Sequence, residues 1–413
     1  MELHFESIKQ FEDVFNNQNT MIKLNTIECK CGKYLEMQID RVIVNIGGQK
    51  IELSECPIMA CQSCGHTQLC PDTPQDIYYA YFEMQKRKST CCKLTMRNDI
   101  KFSYAEEINY KYDSRDLYIP GIGVDLDPTN PRGFSCPVYF DRKVLNSFFA
   151  DDDYELDFFS ETYGSIAKIG SNGWPYEWNI VFGVNKNNKV ILFLGDLDEI
   201  GKDDRAVYWL KSYNIESDHC IIHTELYQSQ FHCRFSEPIK EKRIITLRNA
   251  FFRKMEEKYG VKLFHLEEEV EAKGNSIEKP INYSKREIEE NIIVLDGVLN
   301  EGIDCDELRK LCMQLVNPVP KNIKDLKTRK LLQAIISISA GDATAKEIIA
   351  PLFYLNDLRV CFAHLISQSE IDKYQNNIVA AFGLSSFEEY KKLYDTLIDK
   401  LYNLYTYLNI TEI

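Results

Sequence analysis

Two short cysteine pairs, Cys29 with Cys31 in ECKCG and Cys61 with Cys64 in CQSCG, lie about thirty residues apart near the start of the chain. A turn after the first cysteine of such a pair aims the second sulfur at the same point, and the glycines that follow, Gly32 and Gly65, relieve the backbone there. Two pairs of this kind close a tetrahedral thiolate site. The spacing therefore predicts a zinc ion held by Cys29, Cys31, Cys61 and Cys64. The first pair is CxC rather than the commoner CxxC, which leaves Cys56, His66 or Cys70 open as replacement ligands. With all four positions filled by protein, the zinc is expected to be structural, a staple for a small separate module that cannot fold alone. Alternating apolar positions around the turn signal Gly47-Gly48 predict short strands within it.

The chain has 413 residues and 14 cysteines, six of them between positions 29 and 70. In a small secreted protein that number would suggest disulfides. Here the start, MELHFESIKQFEDVF, carries acidic residues where a signal peptide needs basic ones, and no apolar run approaches the roughly 20 residues of a membrane span. A cytoplasmic protein with no membrane contact is expected, its cysteines serving as metal ligands or buried thiols. The net charge of -14 opposes broad attachment to nucleic acid or an anionic surface, so contact with RNA would have to be local. A hydrophobic fraction of 44% over this length implies two or three folded domains.

The expected fold is multidomain α+β. Residues 1–98 hold the zinc-ribbon region. Residues 99–266 read as a central mixed α/β domain, with WNIVFGVNKNNKVILFLGDL as a hairpin about NKNN and HCIIHTELYQSQFHCRF as a second hairpin. The charged, Gly- and Pro-containing stretch 267–284 reads as a linker. Residues 285–413 read as all-α, because Ile288, Ile292, Leu295 and Leu299, then Leu308, Leu311 and Leu315, then Leu331, Leu332, Ile335 and Ile336 recur at helical spacing. Ser386 and Glu389 form a candidate capping box before a final helix carrying Leu393, Leu397, Leu401, Leu404 and Leu408.

The central domain offers weaker signals. Asp196 and Asp198 on one strand face would suit Mg²⁺, although such a pair is more often a strand end with local side-chain bonds. His219 and His223, with His232 and Cys233 on a following strand, would make a second metal site or be packing residues. Tyr227 and Gln230 could line a ligand pocket.

Near the end of the chain, LNDLRVCFAHLI places Arg359 and His364 inside an apolar helical run. Five residues advance an ideal helix by about 500°, so the two side chains point about 140° apart and meet only if the helix bends or a twofold partner supplies a second copy. Asp357 lies seven residues before His364 and so on nearly the same face, where it or Asn356 could orient the ring or hold a phosphate. The plainer reading pairs Arg359 with a carboxylate on another helix and leaves His364 as a polar residue of a bundle. Lys321, Lys324, Lys327, Arg329 and Lys330 form a basic concentration just ahead of one helical stripe, suited either to an RNA backbone or to a solvated helix face.

Arg, four residues and His late in a C-terminal helical bundle resembles the HEPN superfamily, over roughly residues 285 to 413. The cysteine segment, residues 25 to 72, resembles the zinc ribbons at the front of some bacterial antitoxins and small regulators. The first resemblance implies a metal-independent endoribonuclease acting as a homodimer, as toxin or antiviral effector. Arg359 and His364 would be its catalytic residues, Asp357 and Asn356 would assist, and Lys324, Lys327, Arg329 and Lys330 would grip RNA. The chemistry is coherent: a histidine exchanges protons with the 2′-hydroxyl and the leaving oxygen, while a fixed guanidinium meets the charge that grows on the phosphate. The competing expectation is a noncatalytic regulator or adaptor, whose ribbon and central domain bind a protein partner or trigger and whose bundle only dimerises.

Overall fold

A computed structural model describes residues 1–16, 27–96, 101–102, 109–123, 133–171 and 173–411. The chain forms two compact units, Met1–Glu237 and Pro238–Ile413. The architecture is α+β, with two sheets in the first unit and helices in the second. The expected boundary at 98/99 lies outside the described residues, and the one at 266/267 falls inside the helical unit.

The first unit opens with β1 (Glu2–Phe5), α1 (Ile8–Asn16), β2 (Glu36–Ile46), β3 (Gln49–Ala60), β4 (Thr67–Leu69), α2 (Thr73–Arg87) and β5 (Cys91–Thr95). Gly47 and Gly48, at φ 54° and 84°, make the tight β2–β3 turn, a pair of positive values that glycine supplies without strain. β1 runs parallel to β2, and β5 parallel to β3 beyond β4. Val42, Val44, Ile51 and Leu53 point into a core with Phe11, Ile77 and Met84.

The second sheet uses β6 (Pro137–Asp141), β7 (Tyr154–Phe158), β8 (Tyr163–Ile169), β9 (Tyr176–Val184), β10 (Lys189–Phe193) and β11 (Asn214–Ile215), in the antiparallel order β11-β6-β10-β9-β8-β7. Helices α3 (Val144–Phe149), α4 (Leu194–Glu199), α5 (Asp204–Tyr213) and α6 (Glu225–His232) are interspersed. The NKNN turn joins β9 to β10, with Asn188 at φ 61°.

Two expectations change here. HCIIHTELYQSQFHCRF is a turn followed by α6, because Thr224 caps the helix by accepting from the Tyr227 N–H at 3.1 Å. The cysteine segment is not a separate module: Ile27, Cys29, Leu35, Met59, Cys61 and Cys70 share one core with Ile191, Phe193, Ile221, Leu226 and Tyr227. The apolar end of the β2–β3 hairpin is covered by the second sheet with α6.

The second unit contains α7 (Lys240–Tyr259), α8 (Glu267–Asn275), α9 (Lys285–Asp296), a π turn at Gly297–Glu301, α10 (Cys305–Leu315), α11 (Thr328–Ala340), α12 (Asp342–Ala363), α13 (Gln368–Phe382) and α14 (Tyr390–Ile410). All of the expected stripes except the partly buried Leu315 enter one core. α7 joins them through Ile244, Phe251, Phe252 and Met255, although it precedes the expected linker. That linker itself contains α8. Ser284 and Glu287 form a reciprocal capping box on α9. Ser386 donates its N–H to Glu389 Oε1 at 3.1 Å, but its Oγ accepts from the Glu388 N–H at 3.2 Å rather than from Glu389, and α14 starts after them. Among the described residues no helix is long and apolar enough to cross a membrane.

Candidate functional site

The two cysteine turns sit at the same end of the β2–β3 hairpin, where Glu36 pairs with Ala60. In the first, the Gly32 N–H donates to the Cys29 carbonyl at 2.8 Å; in the second, the Gly65 N–H donates to the Cys61 carbonyl at 2.9 Å. Gly32 and Gly65 take φ 77° and 72°. Each turn thus bends its sulfurs toward the other, and all four Sγ atoms lie within 4.8 Å of one another. Cys29 to Cys64 measures 3.4 Å and Cys31 to Cys61 3.5 Å. These separations exceed a disulfide bond of about 2.05 Å and approach the edge of about 3.8 Å in a tetrahedron with 2.3 Å metal–sulfur bonds. The four thiols lie close enough to bind a metal ion. The Cys64 N–H, opposed by burial and reinforced by the Ser63 N–H, lowers the Cys61 thiol to about 6. The His66 N–H lowers the Cys64 thiol but the thiols of Cys29 and Cys61 outweigh it, to about 12. One thiolate forms readily, and a cation would draw out the rest.

The alternative ligands lie elsewhere. Cys56 and Cys70 are buried in apolar cores, and burial pushes the Cys56 thiol to about 12. His66 is exposed and outside the cluster. Among the described residues no second group of this kind occurs. Asp196 and Asp198 fall on α4, two residues apart on a helix and so on different faces, which removes the strand-face geometry for Mg²⁺. The expected histidine cluster is dispersed. His219, at φ 60°, lies 2.7 Å from Asp116 Oδ1; His223 Nε2 stands 3.6 Å from Glu36 Oε1; and His232 Nε2 is 3.4 Å from the Tyr227 hydroxyl. Cys233 is exposed. Tyr227 is fully buried and donates to the Pro120 carbonyl at 2.6 Å, while Gln230 donates to the Tyr163 hydroxyl at 3.0 Å, so both serve packing.

In the helical unit, α12 carries Arg359 toward the end of α9. Its Nη1 meets Asp296 Oδ2 and Glu301 Oε1, each at 2.8 Å. Asp296 is only 1% exposed, and Asn300 Nδ2 donates to its other oxygen at 2.5 Å. Asp296 stands just before the π turn and Glu301 is its last residue, so the carboxylates at its two ends meet one guanidinium. Sequence reasoning missed these partners. The visible signal was an acid inside an apolar stripe, followed by two glycines in DGVLNEG.

Asp357 faces another way. Burial raises its carboxyl and the Asn356 hydrogen bond and Arg329 charge lower it, with the net shift upward. Arg329, whose charge reaches it, and Lys330 place cationic groups 5.1 and 5.2 Å from the centre of the Phe353 ring. Lys324 and Lys327 are exposed just ahead of α11. Two residues turn a helix about 200°, so Arg359 and Asp357 lie on opposed faces. α12 ends at Ala363, and His364 leaves it at φ -110°, ψ 141°, exposed beside the exposed Leu365. The helical extrapolation that put Asp357 and His364 on one face therefore stops one residue short. Among the described residues no side chain hydrogen-bonds the His364 ring, and Arg359 is occupied by carboxylates.

No family model matches the chain, and no curated protein or solved structure matches it either.

Proposed function

We propose that the helical unit is a metal-independent endoribonuclease of HEPN type, and that the protein acts as a homodimer in toxin-type or antiviral defence. One observation carries this reading: a guanidinium clamped in place by Asp296 and Glu301 and an unengaged, solvent-open imidazole stand at the end of the same helix. Arg359 retains 29% side-chain exposure, enough to meet a phosphate oxygen from its open side. A second copy placed about a twofold axis near the end of α12 would set one chain's His364 beside the other's Arg359. His364 would then exchange protons with the 2′-hydroxyl and the leaving oxygen, and Arg359 would stabilise the charge that grows on the phosphate. Lys324, Lys327, Arg329 and Lys330 would hold the backbone further along. In the first unit a zinc ion held by Cys29, Cys31, Cys61 and Cys64 fixes the β2–β3 hairpin, leaving the first unit to bind a trigger or partner.

The pairing of Arg359 with two carboxylates favours a second reading, in which the guanidinium neutralises buried Asp296 and the protein is a noncatalytic adaptor. Incubation of the full chain with RNA in EDTA separates the two. Cleavage that disappears in His364→Ala establishes the nuclease. Cleavage that is absent, that needs added metal or that survives in the variant establishes the adaptor.

A further inference from the structure

Arg248, on α7, is 2% exposed, and among the described residues no carboxylate pairs with it. A buried guanidinium without an anion is costly, and it persists only where its donors are used. Two of them are. Nη2 donates to the Gly302 carbonyl and Nη1 to Asn249 Oδ1 at 2.8 Å, while the plane lies 4.3 Å from the centre of the Phe252 ring and 5.5 Å from that of Phe264. Burial lowers its pKa, and the more distant Tyr405 and Glu267 charges only partly oppose that.

Gly302 closes the π turn. Its N–H donates to the Gly297 carbonyl at 2.8 Å, and a Cβ there would meet the Val298 carbonyl oxygen at 2.6 Å and Arg248 Nη2 at 2.8 Å. A π turn leaves carbonyls near its end without α-helical donors. Arg248 supplies one for Gly302, and the His265 N–H a longer one at 3.3 Å. The residue just before Gly302 is Glu301, and Asp296 stands just before the turn begins. Both grips on Arg359 therefore depend on where this one turn is held.

We propose that Arg248 is a positioning residue for Arg359, acting through the Gly302 carbonyl and the π turn. It touches neither Arg359 nor any reacting atom. It fixes the turn from behind so that Asp296 and Glu301 converge on one guanidinium nitrogen. Only the kinetic arm of its test rests on the ribonuclease reading.

The test is phenylglyoxal labelling of the full chain, read by peptide mass spectrometry as the rate at Arg359 relative to Arg309. Arg309 is a control in the same unit, held by Asp306 and by the Ile323 carbonyl at 3.2 Å. Loss of a local constraint of this kind should raise Arg359 labelling in Arg248→Met at least about five-fold over Arg309. Arg248→Lys, which keeps a donor for Gly302, should stay within about two-fold of the wild type. Equal rises at both arginines, or no rise at either, overturn the proposal. Should the Met variant fail to fold, Arg248→Lys decides: a protected Arg359 supports the proposal and a freely labelled one overturns it. In the cleavage assay Arg248→Met should lower kcat about tenfold with KM changed less than about two-fold. A wild type that cleaves no RNA removes the ribonuclease reading alone, and the labelling still decides on Arg248.

Discussion

Replacing Arg359 by Ala strips a buried carboxylate of its counter-ion, and the structure sets the size of the effect. Removing one partner of a buried ion pair costs about 3–5 kcal/mol, because the remaining charge stays buried. Here the cost is smaller. Arg359 is 29% exposed, so water already screens part of the attraction, and Asn300 continues to donate to Asp296. Glu301 is 55% exposed, and losing its share adds no more than about 1 kcal/mol. The expected loss is about 2–3 kcal/mol, or about 4–12 °C in Tm for a unit of this size. Urea unfolding of the full chain, followed by the helical circular-dichroism signal, measures it.

The cycle with Asp296→Asn makes the reasoning decisive. That change removes the buried charge while keeping the shape, so Asp296→Asn combined with Arg359→Ala should be more stable than Arg359→Ala alone by about 1–2 kcal/mol. Destabilisation by Arg359→Ala of less than about 0.5 kcal/mol, or no rescue by Asp296→Asn, would refute the account of Asp296 as a buried charge held by Arg359. The same logic explains why His364, exposed and unengaged, is the cleaner residue with which to test catalysis.

Two further outcomes follow from the first unit. Native mass spectrometry should find one zinc per chain in the wild type and none in Cys61→Ser; because Cys29 and Cys61 belong to the core shared with the second sheet, losing the metal should lower the unfolding midpoint of the first unit by about 5 °C or more. An unchanged midpoint with the metal gone would contradict that shared core. Burial alone would lower the His219 pKa, but the Asp116 hydrogen bond and charge, followed by the Asp113 charge, raise it against a smaller opposing effect of Arg115. A raised histidine contributes stability that is complete below its ordinary value of about 6.5 and is lost as pH rises through the folded value. Asp116, raised by burial, shifts stability in the same direction. Urea midpoints measured across pH should therefore fall more steeply with rising pH in the wild type than in His219→Asn, and the reverse ordering would contradict the linkage.

Much of this was written in local sequence. The paired cysteines with their glycines brought four sulfurs together, because knuckle spacing is a property of a few consecutive residues. The Gly47-Gly48 and NKNN turns were equally local, as were the 3.6-residue stripes of α9, α10, α11 and α14, since turn conformation and helical periodicity need no distant partner. The second hairpin failed for the same reason in reverse: adjacent buried Ile221 and Ile222 look strand-like, and only the Thr224 cap with Glu225 after it signals α6.

Only the folded chain decided the rest. Nothing in α12 by itself says that Arg359 faces Asp296 and Glu301, because those acids come from a turn more than fifty residues earlier, brought near by packing of apolar faces. Nor does spacing say that α12 stops at Ala363, which turns His364 out to solvent and breaks its alignment with Asp357. The merging of the cysteine hairpin with the second sheet is likewise a matter of which apolar surfaces find one another. Periodicity and turn chemistry act over a handful of residues and can be read in order along the chain. Which charge meets which is settled by burial, and burial is a sum over the whole unit.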